Sequence, residues 1–313
     1  MRGTRRAGSD ARQSEYSPVM ADTSGTNWTE LSARASMASH RLIGWIYWDP
    51  TAIEAYTRLG IENGFGYYIA SRGAPLAAAG HQSVAAAFYS IHPGFVQISL
   101  EMAAAVTTFE QITQVRNEAV GIGVRATAPE ICDALAGMGE RLWEVVDSLP
   151  SSGRVLFAAH RQWSRSQDPL VSAWLALNCI REYRGDTHFG ILLAENLSGT
   201  QAGLLHDAHL NYPGDWIPRS RGADDAALEL ALADLEQRGL AAGGVVNQAG
   251  LDLRERIELR TNELTEVAWR SLGEELTRQF VELIEPVGSR FMDRIDATAG
   301  PNWMPAARDR RVN

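Results

Sequence analysis

The chain has only two cysteines in 313 residues, Cys132 and Cys179. A disulfide framework and a four-thiolate zinc site are excluded by that count, and a reducing cytoplasm is the natural compartment. No apolar run approaches the roughly 20 residues that a membrane-spanning helix needs, so no membrane partner is expected. Lysine is absent, and all 29 positive charges are arginines, a composition that fits a GC-rich coding bias. The 38 acidic residues outnumber them, giving a net charge of -9. A field of that sign repels a polyanion, so nucleic acid is disfavoured unless a local basic patch overrides it. Neither G-x-G-x-x-G nor a P-loop occurs, there is no G-x-S-x-G elbow, and no repeat of useful period is found.

What is present is helical periodicity, punctuated by turn residues. Asp49-Pro50 is expected to cap a helix over 51–59, His92-Pro93 opens another, and 128–148 reads as one long amphipathic helix. Asp168-Pro169 starts a helix that the charged line from Arg181 to His188 is expected to interrupt or bend. From Asp224 to Arg256 the pattern is a helix stopped at Gly239, a short two-stranded wing turning at Gly243-Gly244, and a return helix. Residues 251–284 close the fold as long helical material. The fold class is therefore mainly α: an N-terminal helical bundle plus a C-terminal winged-helix-like domain with a two-stranded wing and long closing helices. Four segments are expected: a disordered leader (1–26), a helical domain (27–165), the winged-helix-like domain with its closing helices (166–296) and a disordered tail (297–313).

The helix before the wing sits where a recognition helix would, yet it carries Asp224, Asp225, Glu229, Asp234 and Glu236 against Arg238 alone. A major-groove helix needs Arg, Lys, Asn or Gln towards bases and phosphates. Its charge points to a module for domain packing or dimerisation. The alternative is a ligand-responsive regulator that reads a palindrome as a homodimer, with Arg219, Arg221, Arg254, Arg256 and Arg260 as phosphate contacts.

Two stretches carry a resemblance. Arg181-Glu-Tyr-Arg-Gly-Asp-Thr-His188 resembles the L-R-E-H-R-G-D-G-H line of a large actinobacterial family of helix-turn-helix, MarR-like proteins. Leu235-Glu-Gln-Arg-Gly-Leu240 with Gln248-Ala-Gly-Leu-Asp-Leu-Arg-Glu-Arg256 is similar to the same family's wing and exit helix. Tyr47-Trp-Asp-Pro50, Ser71-Arg-Gly-Ala-Pro-Leu76 and Phe88-Tyr89 with His92-Pro93 extend the likeness. Thr187 departs from the family's usual glycine. The resemblance implies a helical domain plus a winged helix and brings no established activity.

Chemistry can be placed at three points. Asp186 and His188 pair a carboxylate with an imidazole beside Gly185, as acid-base catalysis or ligation requires. His206 and His209, three residues apart on one helix, can chelate a metal ion, with His160 as companion. An aromatic-rich N-terminal half, with Tyr47, Arg72 and His92 joined by Arg184 for an anionic group, suits a small-molecule or cofactor cavity. A haem there would take His81 or His92 as axial ligand. The expected function is binding of a small molecule or cofactor, with an enzymatic role open and a homodimer the expected assembly.

Overall fold

A computed structural model gives the fold of residues 25–62 and 66–311; the expected leader up to Ser24 lies outside the described residues. The described chain is almost entirely helical. In order, its helices begin with α1 (Trp28–Gly44), α2 (Pro50–Arg58), the single turn α3 (Ser71–Gly73), α4 (His81–Phe88), α5 (Pro93–Val106) and α6 (Phe109–Thr127). Then come α7 (Cys132–Gly137), α8 (Gly139–Ser148), α9 (Val155–Gln162) and α10 (Pro169–Ala194). The C-terminal part holds α11 (Gly199–Leu210), α12 (Trp216–Ser220), α13 (Asp225–Gln237), α14 (Gln248–Leu272), α15 (Glu274–Ile284) and α16 (Gly288–Thr298). Strands β1 (Ala241–Ala242) and β2 (Val245–Val246) pair antiparallel between α13 and α14. The expected mainly-α class with a small wing is the fold observed.

Local sequence accounts for many of the ends. Thr108 with Gln111 and Ser198 with Gln201 form reciprocal capping boxes that start α6 and α11. Asp224 accepts a hydrogen bond from the Ala227 amide and starts α13. The wing turns at Gly243 and Gly244, both at positive φ (59° and 77°), a conformation that costs residues with a Cβ. Two expected ends differ. Asp49 precedes α2 but its side chain makes no cap bond; it is fully buried and accepts from Arg294 instead, since a buried carboxylate is better satisfied by a guanidinium. The stretch 128–148 is broken into a 3₁₀ turn, α7 and α8 rather than one helix.

The centre of the molecule is α10, which packs on α1, α7, α8, α9 and α14. It runs unbroken for 26 residues, so the expected bend at 181–188 is not there. The charged residues are satisfied sideways by neighbouring helices, so the backbone ladder need not open. The largest apolar cluster draws on residues from Trp28 to Ala307, on both sides of the expected boundary at 165/166. Trp45 and Trp174, both fully buried, each donate an indole N–H to the Leu42 carbonyl (2.8 and 2.9 Å), satisfying the polar edge of two large rings. A second cluster, including Leu205, Leu228, Leu235, Leu253 and Ile257, holds α11, α13 and the wing to α14.

The stretch after Ala297 is packed against the core where a disordered tail was expected. Met304 and Ala307 are buried, Arg41 donates to the Ala307 carbonyl (3.2 Å), and the Arg311 amide donates to Leu210 O (3.2 Å). Met304 seats against Gly44, where any Cβ would overlap its side chain. Apolar burial and these backbone bonds outweigh the Gly-Pro composition that reads as loose.

Candidate functional site

A cavity of about 770 Å³ lies between α1, α10, α11, α14 and the C-terminal stretch. Six arginines line it: Arg72, Arg181, Arg184, Arg221, Arg254 and Arg308. Arg308 is held by Asp296. Four of the other five share two carboxylates. Glu182, with no solvent exposure, accepts from Arg72 through both oxygens (2.9 and 2.6 Å) and from Arg181 (2.7 Å). Glu258 accepts from Arg254 (2.8 Å) and from Arg184, which also donates to Asn262 Oδ1 (2.9 Å). Arg221 donates to Ser90 Oγ (2.9 Å) and has no carboxylate partner among the described residues.

Burial would push both carboxyls up, but the paired guanidiniums outweigh it and hold Glu182 and Glu258 well below the usual range. Both therefore stay ionised, and the five arginines keep a positive surplus in the cavity. Helix α10 explains how they converge. Arg181, Arg184, Gly185, His188, Phe189 and Leu192 all line the cavity, a spacing that places one helical stripe along it.

The histidines in this field are neutral. Burial first, then Arg254, pulls His188 down to about 3 and His206 well below its ordinary value; burial also lowers His209. The Thr261 hydroxyl gives its proton to Ile257 O (2.7 Å), so His188 Nδ1–H donates to Thr261 Oγ1 (3.0 Å). That tautomer leaves His188 Nε2 as a lone-pair acceptor. His40 on α1 also lines the cavity, and neither ring nitrogen has a partner. Ser36 Oγ, Arg181 Nε and Arg184 Nε are likewise buried without a hydrogen bond within the protein.

One wall is aromatic. Trp48 stacks on Tyr68 (ring centroids 5.7 Å apart), Trp303 packs on Trp48 (5.3 Å), and Trp216 meets Trp303 edge-on (5.0 Å). Arg72 lies over Phe88 (4.8 Å) and donates to the Tyr68 hydroxyl (3.0 Å), tying the charged centre to that wall.

The residues singled out from sequence divide sharply. Arg72, Arg184, His188, His206 and His209 do line the cavity. Asp186 and His188 do not form a pair: two residues apart on a continuous helix they point about 200° apart. Asp186 Oδ2 instead accepts from the Phe157 amide (2.9 Å) at the start of α9, and burial pushes its carboxyl up to about 7. His160 does not join His206 and His209. Its Nε2–H donates to Arg72 O (2.9 Å) and its Nδ1 accepts from Asn178 (3.1 Å), so both nitrogens are used for packing. Among the described residues no group of three or more His, Cys, Asp or Glu is arranged to hold a metal ion.

Tyr47 is buried edge-on to Tyr68 (4.9 Å), outside the cavity lining. His92 is exposed and accepts from the Gly94 amide (3.1 Å) as the cap of α5, and His81 opens α4; neither reaches the cavity as an axial ligand would. Sequence reasoning missed Ser36 and His40, four residues apart on α1, and Arg181 as cavity residues.

The unit of α11 to α14 with its wing forms part of this cavity. From it come His206 and His209 on α11, Arg221 after α12 and Arg254 on α14. A model of a helix-turn-helix family matches residues 32–298. The chain belongs to this family. Searches of curated proteins and of solved structures give no match. In this helix-turn-helix protein the exposed face of α13 carries Asp225, Glu229, Leu230 and Glu236 and no basic residue. Of the arginines expected to reach phosphates, Arg221 and Arg254 turn into the cavity, Arg219 pairs with Asp225 (2.7 Å) and Arg260 with Glu263 (3.0 Å).

Proposed function

We propose that the protein binds a small organic anion in the cavity between α1, α10, α11 and α14, and that α11 to α14 with the wing are its helix-turn-helix unit and serve as a wall of that cavity. The observation that carries this reading is the charge balance: four guanidiniums share two carboxylates, and a fifth, Arg221, has none, around a space of about 770 Å³. Unneutralised guanidiniums in a partly desolvated space are costly, and an anion relieves that cost while gaining charge-assisted bonds. The volume lies within the roughly 300–1,000 Å³ of pockets that take drug-sized ligands.

The test is a thermal-shift screen of matched pairs, each an organic acid and its primary amide. Acids raise the midpoint in proportion to the logarithm of concentration, and their amides do not. Equal shifts from both members of each pair, or none from any acid, would sink the reading. A second reading rests on family membership: a DNA-binding regulator, for which the ligand would be the effector. The acidic outer face of α13 weighs against it, and a salt-titrated DNA shift assay decides it.

A further inference from the structure

The cavity lining has two parts of different chemistry, joined through Arg72, and their make-up narrows the class of ligand; this step rests on the organic-anion reading above. In one part α1 presents Ala33, Ser36, Met37 and His40 along a single stripe. His40 is 7% exposed, and both of its nitrogens lack partners, as does the Ser36 hydroxyl. Across from them Arg181 and Arg184 each keep an Nε–H unused after their other nitrogens have bonded Glu182, Glu258 and Asn262. Native interiors leave few buried polar groups unsatisfied, because each costs stability. Four such side chains line one space from facing helices, and a turn of each would bring its unused donor to a bound group. The Nε–H groups and the hydroxyl donate, and a neutral imidazole donates through one nitrogen while accepting through the other. Such a set matches an oxyanion.

The other part is a run of rings, Phe88, Tyr68, Trp48, Trp303 and Trp216, each in contact with the next. Ring faces and edges of this kind favour a flat aromatic body over a flexible chain, since stacked and edge-on contacts add to plain area burial.

We propose that the ligand is an aromatic oxyanion, its acid group held by Ser36, His40, Arg181 and Arg184 and its ring system laid along Tyr68, Trp48 and Trp303. Ser36 and His40 are then ligand-binding residues with no structural duty in the empty protein. Replacing His40 by leucine removes two unpartnered polar atoms from a buried site, so the fold loses nothing while binding does.

The test uses the full chain and three probes, 2-naphthoate, 2-naphthamide and cyclohexanecarboxylate, followed by calorimetry and by quenching of tryptophan fluorescence. Naphthoate is expected to bind at least tenfold more tightly than either of the others. His40→Leu is expected to weaken naphthoate at least tenfold, with the midpoint of thermal unfolding of the ligand-free protein unchanged or raised. Ser36→Ala gives a smaller loss in the same direction and carries the test should His40→Leu not fold. Naphthamide or cyclohexanecarboxylate binding within threefold of naphthoate overturns the proposal. So does unchanged naphthoate affinity in the variant that folds, or a His40→Leu midpoint lowered by several degrees. If cyclohexanecarboxylate binds and naphthoate does not, the aromatic assignment fails while the anion cavity stands; if no acid binds, the cavity reading fails with it.

Discussion

Two helical faces of this protein have opposite relations to charge. The stripe of α10 that looks into the cavity carries Arg181, which is buried, and Arg184 and His188, which are half-buried, among aromatic rings and other arginines. The outer face of α13, the position of a recognition helix, carries Asp225, Glu229 and Glu236 in solvent. The family's architecture would lead one to look for positive charge on the second face, and the chain places it on the first. Charge buried in a low-dielectric space acts strongly and at short range, whereas the same charge on a surface is screened within about 8 Å at physiological salt. An acidic protein with inward arginines is suited to hold a small anion and unsuited to hold a long one.

The strongest way to break this contrast is to remove what makes the inward arginines tolerable. Glu182→Gln takes the shared carboxylate from Arg72 and Arg181 and leaves both buried without a counter-charge. The expected loss is about 3–5 kcal/mol of unfolding free energy, read by denaturant titration. A loss below about 1 kcal/mol would show that the arginines are not desolvated as the structure has them. The second test is pH. Burial, the largest influence, pulls His160 down to about 4, while the unfolded chain binds that proton near 6.5. Between these values the unfolded state holds more protons, so stability is full above about 6.5 and falls as pH drops towards 4. The contribution is about 3 kcal/mol from this one residue, and His188, held down to about 3, adds to it. His160→Gln, which can keep the bonds to Arg72 O and Asn178, should flatten the acid limb of a pH–stability curve. An unchanged limb would mean that His160 titrates normally.

Much of the fold is legible in the sequence because its signals are local. Asp224 before a helix and the Gly243-Gly244 pair are each set by a few adjacent residues, and each appears where expected. The helical stripe at 181, 184 and 188 is equally local, yet it read as an interruption, because the partners that satisfy those charges lie far away: Arg72 is 110 residues from Glu182, and Arg184 is 78 from Asn262. Nothing near His40 marks it, since its distinction is the absence of a partner in three dimensions. The tail misled for the same reason. Pro301, Gly300 and three arginines predict a loose end, and only the groove beside Gly44 reveals where Met304 goes.

Two smaller effects sharpen the contrast at its functional level. Arg221 has no carboxylate partner among the described residues, so Arg221→Met leaves no acid stranded and should spare stability while weakening binding of organic acids about tenfold, near 1.4 kcal/mol. Loss of stability comparable to that of Glu182→Gln would instead make Arg221 part of the frame. The smallest expected change is on the outer face. Glu229→Ala with Leu230→Ala, both exposed, should shift unfolding free energy by no more than about 0.5 kcal/mol. The same pair should leave DNA binding as weak as in the parent, because a face that repels phosphates contributes little when it is trimmed. Tight binding of the gene's own upstream duplex, steeply weakened by salt and lost on Arg256→Ala, would reverse the assignment of the two faces. The helix-turn-helix unit would then grip DNA through the return helix α14, with the cavity as its sensor.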